Sequence, residues 1–256
     1  MVIGTLLAPR PNGWLFALTL FCALLIQVAT NYANDYYDCV QGKDTLNRKG
    51  PRRLGKSGLV PLPLLFIVTI TIFALGFLLS CLLSLRGGPI ISIMYLLASG
   101  AGIYYTKEPI CYGYRGLAEP IVLFCMGTLA TFFTYYLQTL TFSAYAFFIG
   151  LAPGFFSVAL LGLNNLRDYE EDRVTEKKTL VVRLGKQFGK IEVTLALLLP
   201  FIIIPSPFNI LIIPIIYSVI NKLWAEEELS PLLGRIGLAY ICYTLLYALN
   251  AFVLWG

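Results

Sequence analysis

Six stretches of this chain contain no Asp, Glu, Lys or Arg: residues 11–34, 57–85, 87–106, 120–166, 193–221 and 236–256. A bilayer core about 30 Å thick is crossed by about 20 apolar residues of helix, so each stretch is long enough to span it. In lipid, backbone polar groups must pair internally, and continuously apolar runs of this length do so only as helices. The composition agrees: 58% of residues are hydrophobic, 13% are charged and the mean hydropathy is +0.76. A soluble domain carries roughly 25% charge. A soluble enzyme, a nucleic-acid-binding domain and a secreted disulfide scaffold are thereby excluded. An outer-membrane barrel is excluded as well, because its strands alternate over about ten residues.

The expected fold class is an all-α polytopic membrane protein. The run 120–166 is too long for one crossing and must form a hairpin, turning near Gln138 to Ser143. The run 193–221 contains Pro200, Pro205, Pro207 and Pro214 and reads as two short helices broken at Pro205-Ser206-Pro207. The count is then eight spans, preceded by an apolar stub over residues 1–8. With loops placed accordingly, 17 of the 19 basic residues fall on one side, and only Arg10 and Arg86 on the other. The bias toward basic cytoplasmic loops makes that side cytoplasmic, in an inner (plasma) membrane. The six cysteines show no metal-binding spacing, and the chain has no histidine, so any metal must take oxygen ligands, which suits Mg²⁺.

Two acidic clusters close apolar runs on the cytoplasmic side. The first holds Asn31, Asn34, Asp35 and Asp38, followed by Asp44; the second holds Asn164, Asn165, Asp168, Glu170, Glu171 and Asp172. Asn31, Asp35 and Asp38 recur at helical spacing, as do Asn164, Asp168 and Asp172, which predicts that each set lines one helix face. Both sets are placed at helix C-termini, where the macrodipole disfavours carboxylates; a cation that offsets the repulsion is the simplest account, and a solvated polar helix end is the alternative. The pattern Asp38-x-Val40-x-x-Lys43-x-Thr45 returns as Asp172-x-Val174-x-x-Lys177-x-Thr179, offset by 134 residues. It divides a single domain, 1–256, into pseudo-repeated halves of about 1–110 and 111–256. Aspartates with Lys and Arg close behind suit a diphosphate clamped through Mg²⁺. A cation-coupled transporter is the alternative, although its acids would sit nearer mid-span.

The wording of these motifs resembles the UbiA superfamily of prenyltransferases. Asn31-Tyr32-Ala33-Asn34-Asp35-Tyr36-Tyr37-Asp38 with Gln41-Gly42-Lys43-Asp44-Thr45 is similar to the first Asp-rich motif of that family. Asn164-Asn165-Leu166-Arg167-Asp168-Tyr169-Glu170-Glu171-Asp172 with Lys177-Lys178-Thr179-Leu180 is similar to the second. Gly50-Pro51-Arg52-Arg53, Gly113-Tyr114-Arg115-Gly116-Leu117 and Val182-Arg183-Leu184-Gly185 add to the match, which looks most like the 1,4-dihydroxy-2-naphthoate prenyltransferases (MenA type) of menaquinone synthesis.

The resemblance implies nine transmembrane helices around a central cavity, with the Asp motifs facing each other over Mg²⁺-bound polyprenyl diphosphate. It implies transfer of the polyprenyl group to the naphthoate ring with loss of diphosphate and carboxylate. Other acceptors, such as hydroxybenzoate, another naphthoate isomer or a sugar phosphate, stay open. Carried over by position, Asn34, Asp35, Asp38, Asp168 and Asp172 are the metal-site candidates. Arg53, Lys56, Lys107, Lys177 and Lys178 are the substrate-binding candidates, and Asn164 is the residue expected to orient the acceptor. The family's first helix follows a basic Arg-Pro stretch, whereas this chain is expected to begin inside that helix, at Met1-Val2-Ile3-Gly4-Thr5. The run Glu226-Glu227-Glu228 reads as a solvated loop face.

Overall fold

A computed structural model describes residues 1–43, 50 and 53–255, with backbone alone over 251–255. The expectations for Asp44, Thr45, Arg48, Lys49, Pro51 and Arg52 lie outside the described residues. Among the described residues the chain is helical and has no strand. In chain order the α-helices are α1 Val2–Leu6, α2 Gly13–Val40, α3 Leu62–Gly87, α4 Ile90–Tyr104 and α5 Ala118–Val122. They continue as α6 Ala130–Thr139, α7 Ala144–Ile149, α8 Leu151–Arg167, α9 Tyr169–Val174 and α10 Leu180–Leu184. The last are α11 Lys186–Ile203, α12 Ile213–Trp224 and α13 Ser230–Trp255.

All six charge-free runs are helical. Among the described residues six segments are long and apolar enough to cross a bilayer: Gly13–Val40, Leu62–Gly87, Ala118–Thr139, Ala144–Arg167, Pro207–Trp224 and Ser230–Asn250. Of the eight spans expected, the two others differ in kind. Ile90–Tyr104 is apolar but only 15 residues long. Helix α11 starts before its charge-free run, with Lys186, Lys190 and Glu192 in its opening turns. With its long apolar helices, this is an integral membrane protein.

Local chemistry sets the boundaries. Asn12 caps α2, its side chain accepting from the Leu15 N–H at 3.0 Å. The hairpin falls where the sequence places it: α6 ends at Thr139, Leu140 turns left-handed, and Ser143 caps α7 through the Ala146 N–H at 3.2 Å. The proline-rich break also falls as expected. Helix α11 ends at Ile203, and a 3₁₀ segment, Pro207–Ile212, leads into α12 after Ser206 caps its start. Between α5 and α6 the backbone widens into a π-helix, Leu123–Leu129, and stays continuous.

The chain divides into two compact units. One comprises Met1–Pro11, Glu119–Tyr169 and Leu180–Gly256, and the other Asn12–Ala118 with Glu170–Thr179. The first unit packs around α8, where Phe156, Leu163, Val193, Leu197, Ile236 and Tyr243 are almost fully buried. Here helices approach at glycine: a Cβ on Gly127 would lie 2.3 Å from the Gly154 Cα. This is the small-residue contact by which helices associate in lipid. The second unit is built on α2, α3 and α4, with a small core of Ala29, Ala33 and Phe73. Tyr95 reaches over Gly76 and donates to the Phe73 carbonyl at 2.7 Å.

Candidate active site

The second unit carries a concentrated charge cluster. Helix α2 runs unbroken through the first acidic motif, so Asp35 and Asp38 share a face in its last turns. Both are buried, Asp38 completely. Arg53 forks across them, pairing Nη1 with Asp35 and donating from Nη2 to Asp38 Oδ2 at 3.3 Å. The Leu54 N–H donates to Asp35 Oδ2 at 3.1 Å, which fixes the returning chain against the helix end.

The second acidic loop closes the cluster. Lys177, 6% exposed, places Nζ 3.5 Å from Asp38 Oδ2 and 4.6 Å from the centroid of the Tyr114 ring. The Tyr114 hydroxyl donates to Asp38 Oδ1. The loop is pinned by its backbone: Lys177 N–H donates to the Asp172 carbonyl at 2.8 Å, and Lys178 N–H to the Tyr114 carbonyl at 3.0 Å. Burial first, and then the Asp38 carboxylate, push the Tyr114 hydroxyl well above the ordinary tyrosine range. Tyr114 therefore stays a donor throughout the physiological range.

A fully buried carboxylate is tolerated only when it is paired and hydrogen-bonded. Asp38 meets that condition through an arginine, a lysine and a phenol. The cation expected from the unfavourable helix end is thus supplied, in part, by Arg53 and Lys177.

The other candidates are placed differently. Asn34 faces Thr106, whose hydroxyl donates to Asn34 Oδ1 at 3.1 Å. Asp172 is buried within the same unit as Asp38. Lys107 lies 5.4 Å from the Tyr37 ring centroid and 5.7 Å from that of Tyr104. Lys56 and Lys178 are exposed. Asn164 and Asp168 belong to the first unit. There Asn164 Nδ2 donates to the Leu160 carbonyl at 3.0 Å, and Asp168 accepts two bonds from Arg167, both 2.7 Å. Among the described residues no group of three or more His, Cys, Asp or Glu is disposed to hold a metal ion.

One expectation is overturned. Asn164, Asp168 and Asp172 do not share a helix face, because α8 ends at Arg167 and α9 starts afresh at Tyr169. Asp168 is the C-cap between them, with φ −91° and ψ 6°. The physical reason lies in the density of acid. A continuous helix would carry Glu170, Glu171 and Asp172 toward its negative end, whereas a fresh start puts them in a first turn. Tyr114 was not among the candidates, and its only sequence signal was its place in Gly113-Tyr114-Arg115-Gly116-Leu117. The run Glu226-Glu227-Glu228 is exposed but not purely solvated: Glu226 accepts from Lys190 at 2.7 Å, and Glu227 pairs with Lys222.

Comparison with known proteins bears on this arrangement. A family model described as the UbiA prenyltransferase family matches residues 1–227. The 1,4-dihydroxy-2-naphthoate octaprenyltransferase of Haemophilus influenzae is 35% identical over 192 residues, 70% of this chain and 60% of that protein. The protein of the same name from Escherichia coli is 34% identical over 197 residues, 73% of this chain and 63% of that protein. The chain thus spans less than two thirds of the length of these relatives. Among solved structures, a UbiA homolog from Archaeoglobus fulgidus bound to DMAPP and Mg²⁺ superposes with a TM-score of 0.62 at 14% identity. That likeness covers 99% of this chain and 92% of the other, and it speaks for the fold.

Proposed function

The chain belongs to the UbiA prenyltransferase family, and on that premise we propose that it transfers a polyprenyl group from a polyprenyl diphosphate to 1,4-dihydroxy-2-naphthoate, with loss of diphosphate and carboxylate, in menaquinone synthesis. The observation that carries this reading is Asp38: fully buried, yet held by Arg53, Lys177 and Tyr114. The names of the relatives from Haemophilus influenzae and Escherichia coli support the acceptor.

The chemistry of the candidate donors suits Mg²⁺, although among the described residues they are not gathered into a group of three. Asp35, Asp38 and Asp172 offer hard carboxylate oxygens in one unit, with no imidazole in the chain and no thiolate among these donors. When bound, Mg²⁺ would supply positive charge to the leaving diphosphate. Arg53 and Lys177 supply more of it, being cations that pair with Asp38 and are suited in shape and charge to diphosphate oxygens. Tyr114, kept protonated, fixes the orientation of Asp38. Lys107, over two tyrosine rings, is a further diphosphate candidate. The roles given to Asn34, Lys56, Lys178, Asn164 and Asp168 rest on the sequence pattern. The same pattern puts the acidic loops on the cytoplasmic side of a bacterial inner membrane.

The test is an assay of membranes carrying the chain with Mg²⁺, a polyprenyl diphosphate and 1,4-dihydroxy-2-naphthoate. Released diphosphate together with a demethylmenaquinone is the expected result. Turnover with hydroxybenzoate or a sugar phosphate but not with the naphthoate would replace the acceptor. Substrate uptake into vesicles without diphosphate release would instead support a transporter.

A further inference from the structure

One amide side chain at the end of α2 holds the backbone on both sides of Lys107. Gln41 is the C-cap of α2, its N–H donating to the Tyr37 carbonyl at 2.9 Å. Its Nε2 donates to the Thr106 carbonyl at 2.9 Å, and its Oε1 accepts from the Glu108 N–H at 2.8 Å. Thr106 and Glu108 are the residues before and after Lys107. A third bond ties the same turn to the same helix: Thr106, fully buried, donates from its hydroxyl to Asn34 Oδ1 at 3.1 Å. Asn34, Asp38 and Gln41 recur at i, i+4 and i+7, so both anchors of the turn lie on the α2 face that carries Asp38.

These bonds act on a residue whose own structure would leave it loose. Helix α4 ends at Tyr104, so a regular ladder does not run through residues 106–108. Backbone bonds from the Lys107 N–H to the Ile103 carbonyl, 3.1 Å, and from the Cys111 N–H to the Lys107 carbonyl, 2.9 Å, shape the turn. The bonds to Gln41 and Asn34 fasten it to α2. The rings beside the ammonium group come from the same two helices, Tyr37 from α2 and Tyr104 from α4. A lysine carries its charge on a flexible four-carbon stem, and immobilising that stem on a ligand costs side-chain entropy. A fixed backbone and two aromatic faces meet part of that cost before any ligand arrives.

We propose that Gln41 is a positioning residue for diphosphate binding: by bracketing Lys107 it holds that ammonium group beside the helix end that carries Asp38. The ligand class rests on the function proposed above, whereas the bracket rests on the hydrogen bonds of Gln41 alone.

The experiment takes the full chain in nanodiscs and reads two quantities. The first, without ligand or added metal, is the rate at which a pulse of acetic anhydride acetylates each lysine, followed by mass spectrometry. Gln41→Met keeps the length of the side chain and removes both polar atoms. It should raise the Lys107 rate several-fold and leave Lys177 as protected as in wild type. Thr106→Val, which cuts the bond to Asn34 instead, should also raise the Lys107 rate, and it serves if Gln41→Met does not fold. The second quantity is the affinity for farnesyl diphosphate with Mg²⁺, measured by equilibrium dialysis. Lys107→Met should weaken it about thirtyfold, the size of one hydrogen bond to a charged group of about 2 kcal/mol. Gln41→Met should weaken it about tenfold. The double variant should bind no more weakly than Lys107→Met, because Gln41 acts through Lys107. An unchanged Lys107 rate in both Gln41→Met and Thr106→Val would overturn the proposal. So would a Lys177 rate that rises in step with that of Lys107, which marks general loosening, or losses that multiply to about three-hundredfold in the double variant. Wild type without Mg²⁺-dependent affinity for farnesyl diphosphate, alongside a Lys107 rate that responds to Gln41→Met, counts against the proposed function and leaves the bracket on Lys107 standing.

Discussion

The two acidic motifs read alike in sequence and fold unalike. The first lies on an unbroken helix, α2, and its aspartates are met by residues far along the chain: Arg53, Tyr114 and Lys177. The second is cut in two at Asp168, which is met by its neighbour Arg167. Its later half, Glu170 to Thr179, joins the same compact unit as the first motif. A repeated pattern can thus preserve chemistry without preserving local structure. Among the described partners, those of Asp38 come from other segments of the chain, whereas Arg167 beside Asp168 comes from the same turn.

That contrast can be broken most forcefully at Asp38. Asp38→Asn keeps the shape and removes the charge that Lys177 and one prong of Arg53 pair with. Turnover should fall about a thousandfold or more, as expected when several kcal/mol of charge stabilisation are removed. Stability should fall by about 3–5 kcal/mol, the usual consequence of breaking a buried pair. Denaturation in detergent and diphosphate release check the two effects. Unchanged turnover would remove Asp38 from the site.

Lys177→Met should follow, with a loss of about a hundredfold in kcat/KM for the polyprenyl diphosphate. The stability effect should be smaller than at Asp38, because Arg53 still pairs with that carboxylate. Equal losses from Lys56→Met would instead make the basic loop a general attractor of anions. Lys56 is exposed, and a topology signal alone would explain it.

Tyr114→Phe should cost about 1.5–3 kcal/mol, the range for a hydrogen bond to a charged group. The pH dependence has a definite sign. The folded-state Tyr114 hydroxyl titrates above its ordinary value, so its contribution is complete below the ordinary tyrosine value of about 10. It is lost as pH rises from there through the higher folded value. The stability gap between wild type and Tyr114→Phe should therefore be flat from pH 6 to about pH 9. A gap that closes near neutral pH would contradict the hydrogen bond.

The smallest effect is expected at the second motif. Arg167→Lys replaces a two-pronged contact with a single one and should cost about 1 kcal/mol, measured by denaturation, with little change in substrate affinity. A collapse in affinity would place Arg167 among the substrate ligands and make the two motifs alike in role.

Much of the architecture was legible in the sequence. Charge-free length fixes where helices can cross a bilayer, and Ser143 and the Pro205-Ser206-Pro207 break mark two of the turns. The face shared by Asp35 and Asp38 followed from spacing alone, because α2 continues through it. Spacing failed at Asp168, since helical periodicity assumes a helix and does not register where accumulated acid favours starting a new one. Tyr114 was hidden for another reason. It acts through a contact 76 residues away in sequence, in a 3₁₀ turn with no periodic pattern.

On the function proposed above, the Asp38 cluster receives a metal-bound diphosphate. Calorimetric titration of a polyprenyl diphosphate into the purified chain, with and without Mg²⁺, tests it most directly. Binding should require Mg²⁺ and should be lost in Asp38→Asn and weakened in Lys177→Met. The same affinity in the presence of a chelator, or in Asp38→Asn, would contradict it.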